Sequence, residues 1–222
     1  MITVLKDVPV PGIEVVPCRQ QGPRGVVKAF LLAEAGGLTL IDSGFSAADA
    51  DLIHERVERA GRSLGDLRQV LLTHSNRDHT GGLARLLESA RPAVVCHEAE
   101  VEAVQRETGI TVDRRLRDGD RLPDCGGILA IHMPGHTRGS VAFYLEATQA
   151  LVAGDAIVSA GEHLIVCPPF LCDDPALARA SVQRLLDLHL PIERVLVSHG
   201  DDVYRDAHLP LARILLERRG GP

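Results

Sequence analysis

Short apolar segments alternate with amphipathic segments along most of the chain. Aliphatic and β-branched runs at Val26–Leu32 and Leu38–Ile41 predict two strands, joined as a hairpin through Gly36-Gly37. Further short runs predict strands at Val70–Leu72, Ala93–Cys96, Gly127–His132, Val141–Leu145, Leu151–Ala153 and Arg194–Val197. Strands that alternate with helices in this way are typical of an α/β fold.

The predicted helices begin at polar capping residues. Ser46 is the expected N-cap of a helix to about Ala60, with Asp49 in the capping-box position. Asp173, Asp174 and Pro175 predict the start of a helix to Leu188, because proline is favoured in a first helical turn. The other predicted helices open at Leu83–Leu87 and cover His97–Glu107 and Leu209–Arg218. The chain has no repeat or linker-like segment, so residues 1–222 are expected to form a single domain.

Composition adds an imbalance between histidine and aromatic residues. Ten His stand against four Phe, two Tyr and no Trp, in a chain that is 45% hydrophobic and 24% charged. This composition is ordinary for a globular protein and excludes wholesale disorder. The net charge of -6 argues against a nucleic-acid partner, which would need a basic face. The basic residues at Arg114–Arg117 lie among aspartates and are interpreted as a solvated charged turn.

The chain carries no sign of a membrane or secretory route. It has no run of eighteen apolar residues and no signal-peptide layout at its N-terminus, so we expect a cytoplasmic protein without a membrane partner. The five cysteines follow no repeated spacing and are expected to be reduced and mostly buried. Cys167 and Cys172 could supply half of a zinc site, but we expect none there, because structural zinc takes four ligands.

Four predicted strands are each followed by a loop that carries a histidine, an aspartate or both. These residues are His74, Asp78 and His79 after Leu72, His136 after Met133, Asp155 after Ala153, and His199 after Val197. In layered α/β folds, chemistry is concentrated in such loops because the sheet holds them in place. Imidazole and carboxylate groups suit zinc and its first-row neighbours. The pattern therefore indicates a hydrolytic metal site.

The order of these residues resembles the metallo-β-lactamase superfamily. The family motif His-x-His-x-Asp-His is matched by His74-Ser75-Asn76-Arg77-Asp78-His79, and later motifs match at His136 (Pro-Gly-His-Thr), Asp155 (Gly-Asp) and His199 (Ser-His-Gly). Leu40-Ile41-Asp42-Ser43-Gly44 resembles the family's early Ile-Asp-x-Gly segment. The match runs from about Val26 to Gly200. It implies a four-layer αββα sandwich of two mixed β-sheets, with helices outside and the site along one edge.

The resemblance also implies ligands for two metal ions. The first site would comprise His74, residue 76 and His136, the second Asp78, His79 and His199, with Asp155 bridging both. Asp78 would also orient the attacking hydroxide or accept its proton, and Asp42 would support the ligands from behind. The chain departs from the family at Asn76, where the family has His. An amide oxygen is a weaker ligand than imidazole, so Asn76 is either a poor ligand or a residue behind the ligands.

Three metal arrangements follow from this departure. Both sites fill with Zn2+ and the first ion is held loosely, or only the second site fills. In the third arrangement, the remaining two-histidine, one-carboxylate face holds Fe2+, as in oxygen-activating enzymes. We rank them in that order, with one or two Zn2+ per chain expected and Mn2+ as a further alternative.

The remaining histidines divide into one candidate and five ordinary residues. His163 follows Asp155 in a segment where the family often lines its substrate pocket, so it is a candidate pocket residue. The five expected in ordinary helical, packed or surface positions are His54, His97, His132, His189 and His208.

We therefore expect a hydrolase that uses a metal-bound hydroxide on an ester, lactone, thioester or related bond of a small molecule. The short segment after His199 argues against a glyoxalase-II-like enzyme with its glutathione-binding helical region. The chain length argues against the nucleic-acid-processing branches, and the missing signal peptide against a secreted lactamase. The alternatives are an iron-dependent persulfide dioxygenase of the same fold and a metal-binding protein that has lost catalysis. The sequence does not decide between a monomer and a homodimer.

Overall fold

The computed structural model describes Val10 and residues 12–19, 25–161 and 163–216. Their contacts form two compact units. Of the described residues, unit 1 comprises those up to Leu116 together with Pro123–Cys125, and unit 2 comprises Arg117–Leu122 and those from Gly126 onwards. The expectation of one domain over residues 1–222 stays a prediction.

Unit 1 contains a six-stranded mixed sheet in the order β1-β2-β3-β4-β5-β6. Its strands are β1 (Ile13–Arg19), β2 (Val26–Glu34), β3 (Gly37–Ile41), β4 (Leu67–Leu71), β5 (Ala93–His97) and β6 (Arg114–Leu116). The first three strands pair antiparallel and the remaining pairs are parallel. Because β3 and β4 are parallel neighbours, the residues that follow them emerge at the same edge of the sheet.

The helices of unit 1 follow the strands in sequence. They are α1 (Ala47–Arg59), α2 (Arg77–Thr80), α3 (Leu83–Ser89) and α4 (Val101–Thr108). At the start of α1, the Asp49 carboxylate accepts hydrogen bonds from the Ser46 amide at 3.0 Å and the Ser46 hydroxyl at 3.1 Å. The predicted capping box is therefore confirmed. Helix α1 buries Ile53 and Val57 against the aliphatic core of the sheet.

Unit 2 contains a five-stranded mixed sheet in the order β13-β10-β9-β8-β7 and a separate β11-β12 hairpin. Its strands are β7 (Arg121–Leu122), β8 (Ile128–His132), β9 (Val141–Leu145), β10 (Ala150–Val152), β11 (Ile157–Ala160), β12 (His163–Val166) and β13 (Arg194–Leu196). Its helices are α5 (Pro175–Asp187) and α6 (His208–Arg213). The Asp174 carboxylate caps α5 by accepting from the amides of Ala176 and Leu177 at 3.0 and 2.9 Å, as the sequence predicted for this helix start.

The predicted α/β architecture with two mixed sheets is confirmed, and most strand positions agree to within one or two residues. The charged turn predicted at Arg114–Arg117 is wrong in part, since Arg114–Leu116 forms strand β6 with Leu116 buried and both arginines exposed. Strand β1 and the β11-β12 hairpin were not predicted. The last helix ends at Arg213, and residues 217 and 218 of its predicted range lie outside the described residues.

Each unit has its own aliphatic core. In unit 1, the sheet residues Leu40 and Val70 pack in one cluster with Ile53 of α1. In unit 2, Leu151 and Val195 of the sheet pack with Val182 and Leu185 of α5. Among the helices that the structure describes, none is long and apolar enough to cross a membrane.

Candidate metal centre

In unit 1, the predicted ligands lie where β3 and β4 end. Asp42 directly follows β3, and its amide donates to the carbonyl of Leu71, the last residue of β4, at 2.9 Å. Asp42 has a φ of +60°, a left-handed conformation that aspartate tolerates better than most residues. The strand pairing thus brings Asp42 beside the loop that begins after β4 and carries His74, Asp78 and His79.

A buried hydrogen-bond network fixes the imidazoles of this loop. The Asp42 carboxylate lies 2.7 Å from Nδ1 of His79 and accepts from the Thr73 hydroxyl and amide, each at 2.8 Å. Because the Thr73 hydroxyl donates to Asp42, its oxygen accepts from Nδ1 of His74 at 3.1 Å. Both imidazoles therefore carry their proton on Nδ1, which leaves the Nε2 lone pair as the ligand for an ion. A carboxylate behind a histidine is the usual support of a metal ligand.

We call His74, Asp78 and His79 the unit 1 cluster. The rings of His74 and His79 are 4.0 Å apart between centroids, and Oδ2 of Asp78 lies 3.9 Å from Nε2 of His79. All three residues are buried, whereas Asn76 is exposed at the N-cap of α2. Within unit 1, the structure brings the three predicted ligands together and leaves Asn76 at the surface. This placement agrees with a minor role for its amide.

A glycine allows α2 to pack tightly against the segment after β3. A Cβ at Gly81 would overlap the carbonyl carbon and oxygen of Phe45. The Gly81 amide instead donates to the Gly44 carbonyl at 2.8 Å, and the Ser43 amide donates to the His79 carbonyl at 2.7 Å. These bonds hold the helix that carries Asp78 and His79 against the loop that carries Asp42.

In unit 2, three further predicted ligands follow three strands that point the same way. Strands β10 and β13 are parallel neighbours, and β8 is antiparallel to β9, which is antiparallel to β10. The carboxyl ends of β8, β10 and β13 therefore lie at one edge of this sheet. His136, Asp155 and His199, which we call the unit 2 cluster, extend from that edge.

The distances within the unit 2 cluster suit ligands of one ion better than hydrogen bonds. Oδ2 of Asp155 lies 3.6 Å from Nε2 of His136 and 3.6 Å from Nε2 of His199. These separations exceed the usual range of hydrogen bonds. Two ligands about 2.1 Å from a tetrahedral ion are about 3.4 Å apart. His136 and Asp155 are 6% and 7% exposed and the His199 side chain is 20% exposed, so two of the three donors are buried, and the set fits a divalent cation.

Two cysteines lie behind His136. Sγ of Cys167 is 3.4 Å from Nδ1 of His136, and the thiol of Cys172 donates to the carbonyls of Cys167 and Pro168. Burial is the main cause that raises the pKa of both thiols, with the neighbouring thiol and Asp155 also raising that of Cys167. Sequence reasoning set this pair aside, and it is in contact with a predicted ligand.

Helix α5 supports the loop that carries His136. The amide of Asp173 donates to the His136 carbonyl at 3.1 Å, and the Ser181 hydroxyl donates to the Pro134 carbonyl at 2.7 Å. The Arg184 guanidinium donates to the His132 carbonyl and forms an ion pair with Asp118. The Asp118 carboxylate also accepts from the His132 amide at 2.8 Å. Several of these contacts lie at the surface, unlike the buried network around Asp42.

The other histidines mostly lie as the sequence suggested. His54 is half exposed and lies 3.4 Å from Glu58, His189 and His208 are exposed, and Nδ1 of His97 accepts from the Ala99 amide at the start of the next helical turn. His163 lies exposed at the start of β12, so its role in a pocket stays a prediction.

Sequence reasoning missed Thr73 and the contact of Cys167 with His136. Thr73 directly precedes the first ligand in the motif, and this position was the signal available for it. No comparable signal pointed to Cys167, which is thirty-one positions from His136 in the chain.

A curated relative connects the chain with known hydrolases. The chain is 34% identical over 137 residues to a hydroxyacylglutathione hydrolase of Ruegeria pomeroyi. The aligned region covers 60% of this chain and 49% of that protein. The chain thus spans about half the length of this relative.

Solved structures with the same fold cover nearly all of the chain. A metallo-beta-lactamase from Pontibacter korlensis superposes with a TM-score of 0.79 at 18% identity, covering 99% of this chain and 100% of that one. A metallo-beta-lactamase family protein from Thermus thermophilus gives a TM-score of 0.72 at 23% identity, covering 92% and 78%. The family model of the metallo-beta-lactamase superfamily matches residues 22–199. The resemblance seen in the motifs is thereby confirmed, and the chain belongs to the metallo-beta-lactamase superfamily.

Proposed function

We propose that the protein is a metal-dependent hydrolase that cleaves an ester, lactone or thioester bond of a small molecule. Membership of the superfamily supports the reaction type. The relative named hydroxyacylglutathione hydrolase favours a thioester among these bonds. Because the chain spans about half of that relative, the acyl group and the thiol part of the substrate are left open.

The observation that carries this proposal is the placement of Asp155. Its Oδ2 lies 3.6 Å from Nε2 of both His136 and His199, and both Asp155 and His136 are buried. A buried carboxylate beside two imidazoles at this separation is well suited to hold a cation. We assign the metal ligands as the motif match assigned them, to His74, Asp78, His79, His136, Asp155 and His199, with Zn2+ as the expected ion.

A divalent ion bound by these ligands supplies activated hydroxide at neutral pH and stabilises the oxyanion that develops on the substrate. The residues of the chain do the remaining work. Asp42 and Thr73 hold His79 and His74 with their Nδ1 protonated. The Asp78 carboxylate, 11% exposed, is the group that orients the attacking oxygen or accepts its proton.

Metal content tests the assignment at Asn76. Because this amide is a weak and exposed donor, elemental analysis after purification is expected to find between one and two ions per chain. The variant Asn76→His should approach two, and Arg77→His, which adds an imidazole at the exposed neighbouring position, should not. Two ions that wild type keeps through dialysis against a chelator would refute the weakened site.

Turnover tests the reaction. The zinc-loaded chain is expected to hydrolyse at least one member of a panel of thioesters, esters and lactones, and Asp155→Asn should abolish that turnover. No turnover across the panel with the metal bound would contradict the proposal and favour a binding protein. Oxygen consumption by the iron-loaded chain with a persulfide would contradict the hydrolase proposal and favour a persulfide dioxygenase.

A further inference from the structure

Three donor atoms lie together on the side of His136 that faces away from Asp155. Sγ of Cys167, Sγ of Cys172 and a ring nitrogen of His136 lie within 4.8 Å of one another. The nitrogen on this side is Nδ1, 3.4 Å from Sγ of Cys167, whereas Nε2 lies 3.6 Å from Asp155. The cysteines and Nδ1 therefore form a group of donors separate from the unit 2 cluster, sharing one imidazole ring with it.

The separation of Cys167 from His136 matches that of two ligands in a thiolate metal site. With zinc–sulfur and zinc–nitrogen bonds of about 2.3 and 2.05 Å, a sulfur and a nitrogen on a tetrahedral ion are about 3.6 Å apart. Two such sulfurs are about 3.8 Å apart. The 3.4 Å between Sγ of Cys167 and Nδ1 of His136 is close to the first value, and all three donor atoms lie within 4.8 Å of one another. Two cysteines and one histidine, with a fourth position open, are an established donor set for zinc.

The backbone between β12 and α5 brings the two thiols together. The amide of Cys167 donates to the Ala156 carbonyl at 3.2 Å, which fixes the first cysteine near the start of the β11-β12 hairpin. A helical turn at Pro169–Leu171 then reverses the chain, so that the Cys172 thiol lies 3.5 Å from the Cys167 carbonyl. The amide of the next residue, Asp173, donates to the carbonyl of His136. One end of the loop is therefore held to the segment that carries Asp155, and the other end to the segment that carries His136.

We propose that Cys167, Cys172 and Nδ1 of His136 form a second metal site, which binds a thiophilic divalent ion of the zinc class. Binding replaces the proton of each thiol by a sulfur–metal bond and releases two protons, with no change of oxidation state. Thiolates favour soft and borderline ions over magnesium or calcium.

The shared ring makes this site inhibitory, a consequence that rests on the proposed function. Neutral imidazole carries one proton, and when Nε2 is the catalytic ligand that proton is on Nδ1. Binding of an ion by Nδ1 moves the proton to Nε2, which then has no lone pair for the catalytic ion. Occupancy of the thiolate site therefore removes His136 from the catalytic centre and lowers the rate of hydrolysis.

Cadmium is the probe that separates the two sites, because cadmium–thiolate bonds give an ultraviolet charge-transfer band and the catalytic ligands contain no sulfur. Titration of the purified full-length chain is expected to produce this band at one equivalent. The band should be lost in Cys167→Ser and Cys172→Ser and kept in Cys125→Ser, which changes another half-buried cysteine. No band in wild type, or an equal band in the Cys167→Ser/Cys172→Ser double variant, would overturn the site.

Alkylation gives a readout on wild type alone and avoids any effect of substitution on folding. Cadmium should protect Cys172, the half-buried thiol of the site, from iodoacetamide, as read by mass spectrometry, and should leave the labelling of Cys125, which is also half-buried, unchanged. Equal labelling of Cys172 with and without cadmium would contradict the site.

Hydrolysis then tests the shared ring. One equivalent of cadmium should lower the activity of the zinc-loaded wild type at least about tenfold more than that of the double variant. A band without inhibition would refute the sharing of His136. The band and the alkylation pattern need no substrate, so they decide the metal site even if the hydrolase proposal fails.

Discussion

The two clusters of predicted ligands differ in what lies behind their histidines. In unit 1, Nδ1 of His79 lies 2.7 Å from the carboxylate of Asp42. In unit 2, Nδ1 of His136 lies 3.4 Å from the thiol of Cys167. A carboxylate partner raises the basicity of the imidazole and fixes its orientation, whereas a thiol is a weak acceptor. The same ligand type is therefore supported strongly in one unit and weakly in the other.

The further contacts that hold the two ligand loops differ in the same direction. Asp42 and Thr73 are 0% and 1% exposed, so their hydrogen bonds form in a region of low dielectric constant. The His136 loop depends partly on Arg184 and Asp118, whose side chains are 41% and 47% exposed. We infer that ligation through His79 is stiff and tight, and that ligation through His136 is more adjustable.

The largest effect is expected from the carboxylate of the unit 2 cluster. Asp155→Asn removes the charge that lies between two imidazoles, and kcat/KM should fall by more than about 100-fold, the upper end for a residue that only supports a ligand. Steady-state kinetics with parallel metal analysis measure it. Asp187→Asn, at the exposed end of α5, is the control and should be close to wild type. A loss below about tenfold would show that Asp155 is no ligand.

The second largest loss of metal affinity or activity is expected from Asp42, the carboxylate behind His79. Asp42→Asn keeps the shape of the side chain but removes the charge behind His79, so metal affinity or activity should fall about 10- to 100-fold. Metal affinity by competition with a coloured chelator checks this, with Asp51→Asn on the exposed face of α1 as the control. Unchanged affinity would mean that the Asp42–His79 contact serves folding alone.

Substitution of Cys167, the thiol behind His136, should lower kcat/KM less than substitution of Asp42. Cys167→Ser replaces one weak partner of His136 with a smaller one, so kcat/KM measured in cadmium-free buffer should change less than about tenfold. The ratio between the losses in Asp42→Asn and Cys167→Ser measures the asymmetry directly. Equal losses would remove the contrast between the two units.

The smallest effect concerns the surface pair that supports the His136 loop. Burial raises the pKa of Asp118, but the hydrogen bond from the His132 amide and the pairing with Arg184 outweigh it and hold the pKa below its ordinary value. A lowered carboxyl pKa stabilises the fold above the ordinary value of about 3.9 and ceases to do so as the pH falls through the folded-state pKa.

Asp118→Asn should therefore lower the free energy of unfolding near neutral pH by less than about 1 kcal/mol, since the pair is screened by solvent. The difference from wild type should vanish in acid, as followed by urea denaturation at several pH values. A difference that grows as the pH falls would contradict the sign of this shift.

The sequence predicted the elements that carry a strong local signal. Ser46 with Asp49 and Asp174 with Pro175 marked helix starts through capping chemistry, and the apolar runs before His74 and His199 marked buried strands. The candidate ligands were identified because they follow strands that end at a sheet edge and because their order resembles the family motifs. Local chemistry therefore sufficed for most of the fold and for the predicted ligands within each unit.

The remainder depended on contacts between distant segments. The segment Arg114–Leu116 carries two exposed arginines, so its sequence does not indicate a strand. It forms a strand because it pairs with β5. The contact of Cys167 with His136 depends on how the loop after β12 folds back, which no spacing in the sequence encodes. The left-handed backbone of Asp42 likewise follows from the pairing of β3 with β4.

The histidines and aspartates of both clusters are expected to bind metal. Crystals of the zinc-loaded protein, measured on both sides of the zinc absorption edge, test it most directly. We expect anomalous peaks within about 2.0–2.2 Å of Nε2 of His79 and of the Asp155 carboxylate. Zinc-loaded crystals without a peak at either residue would contradict it.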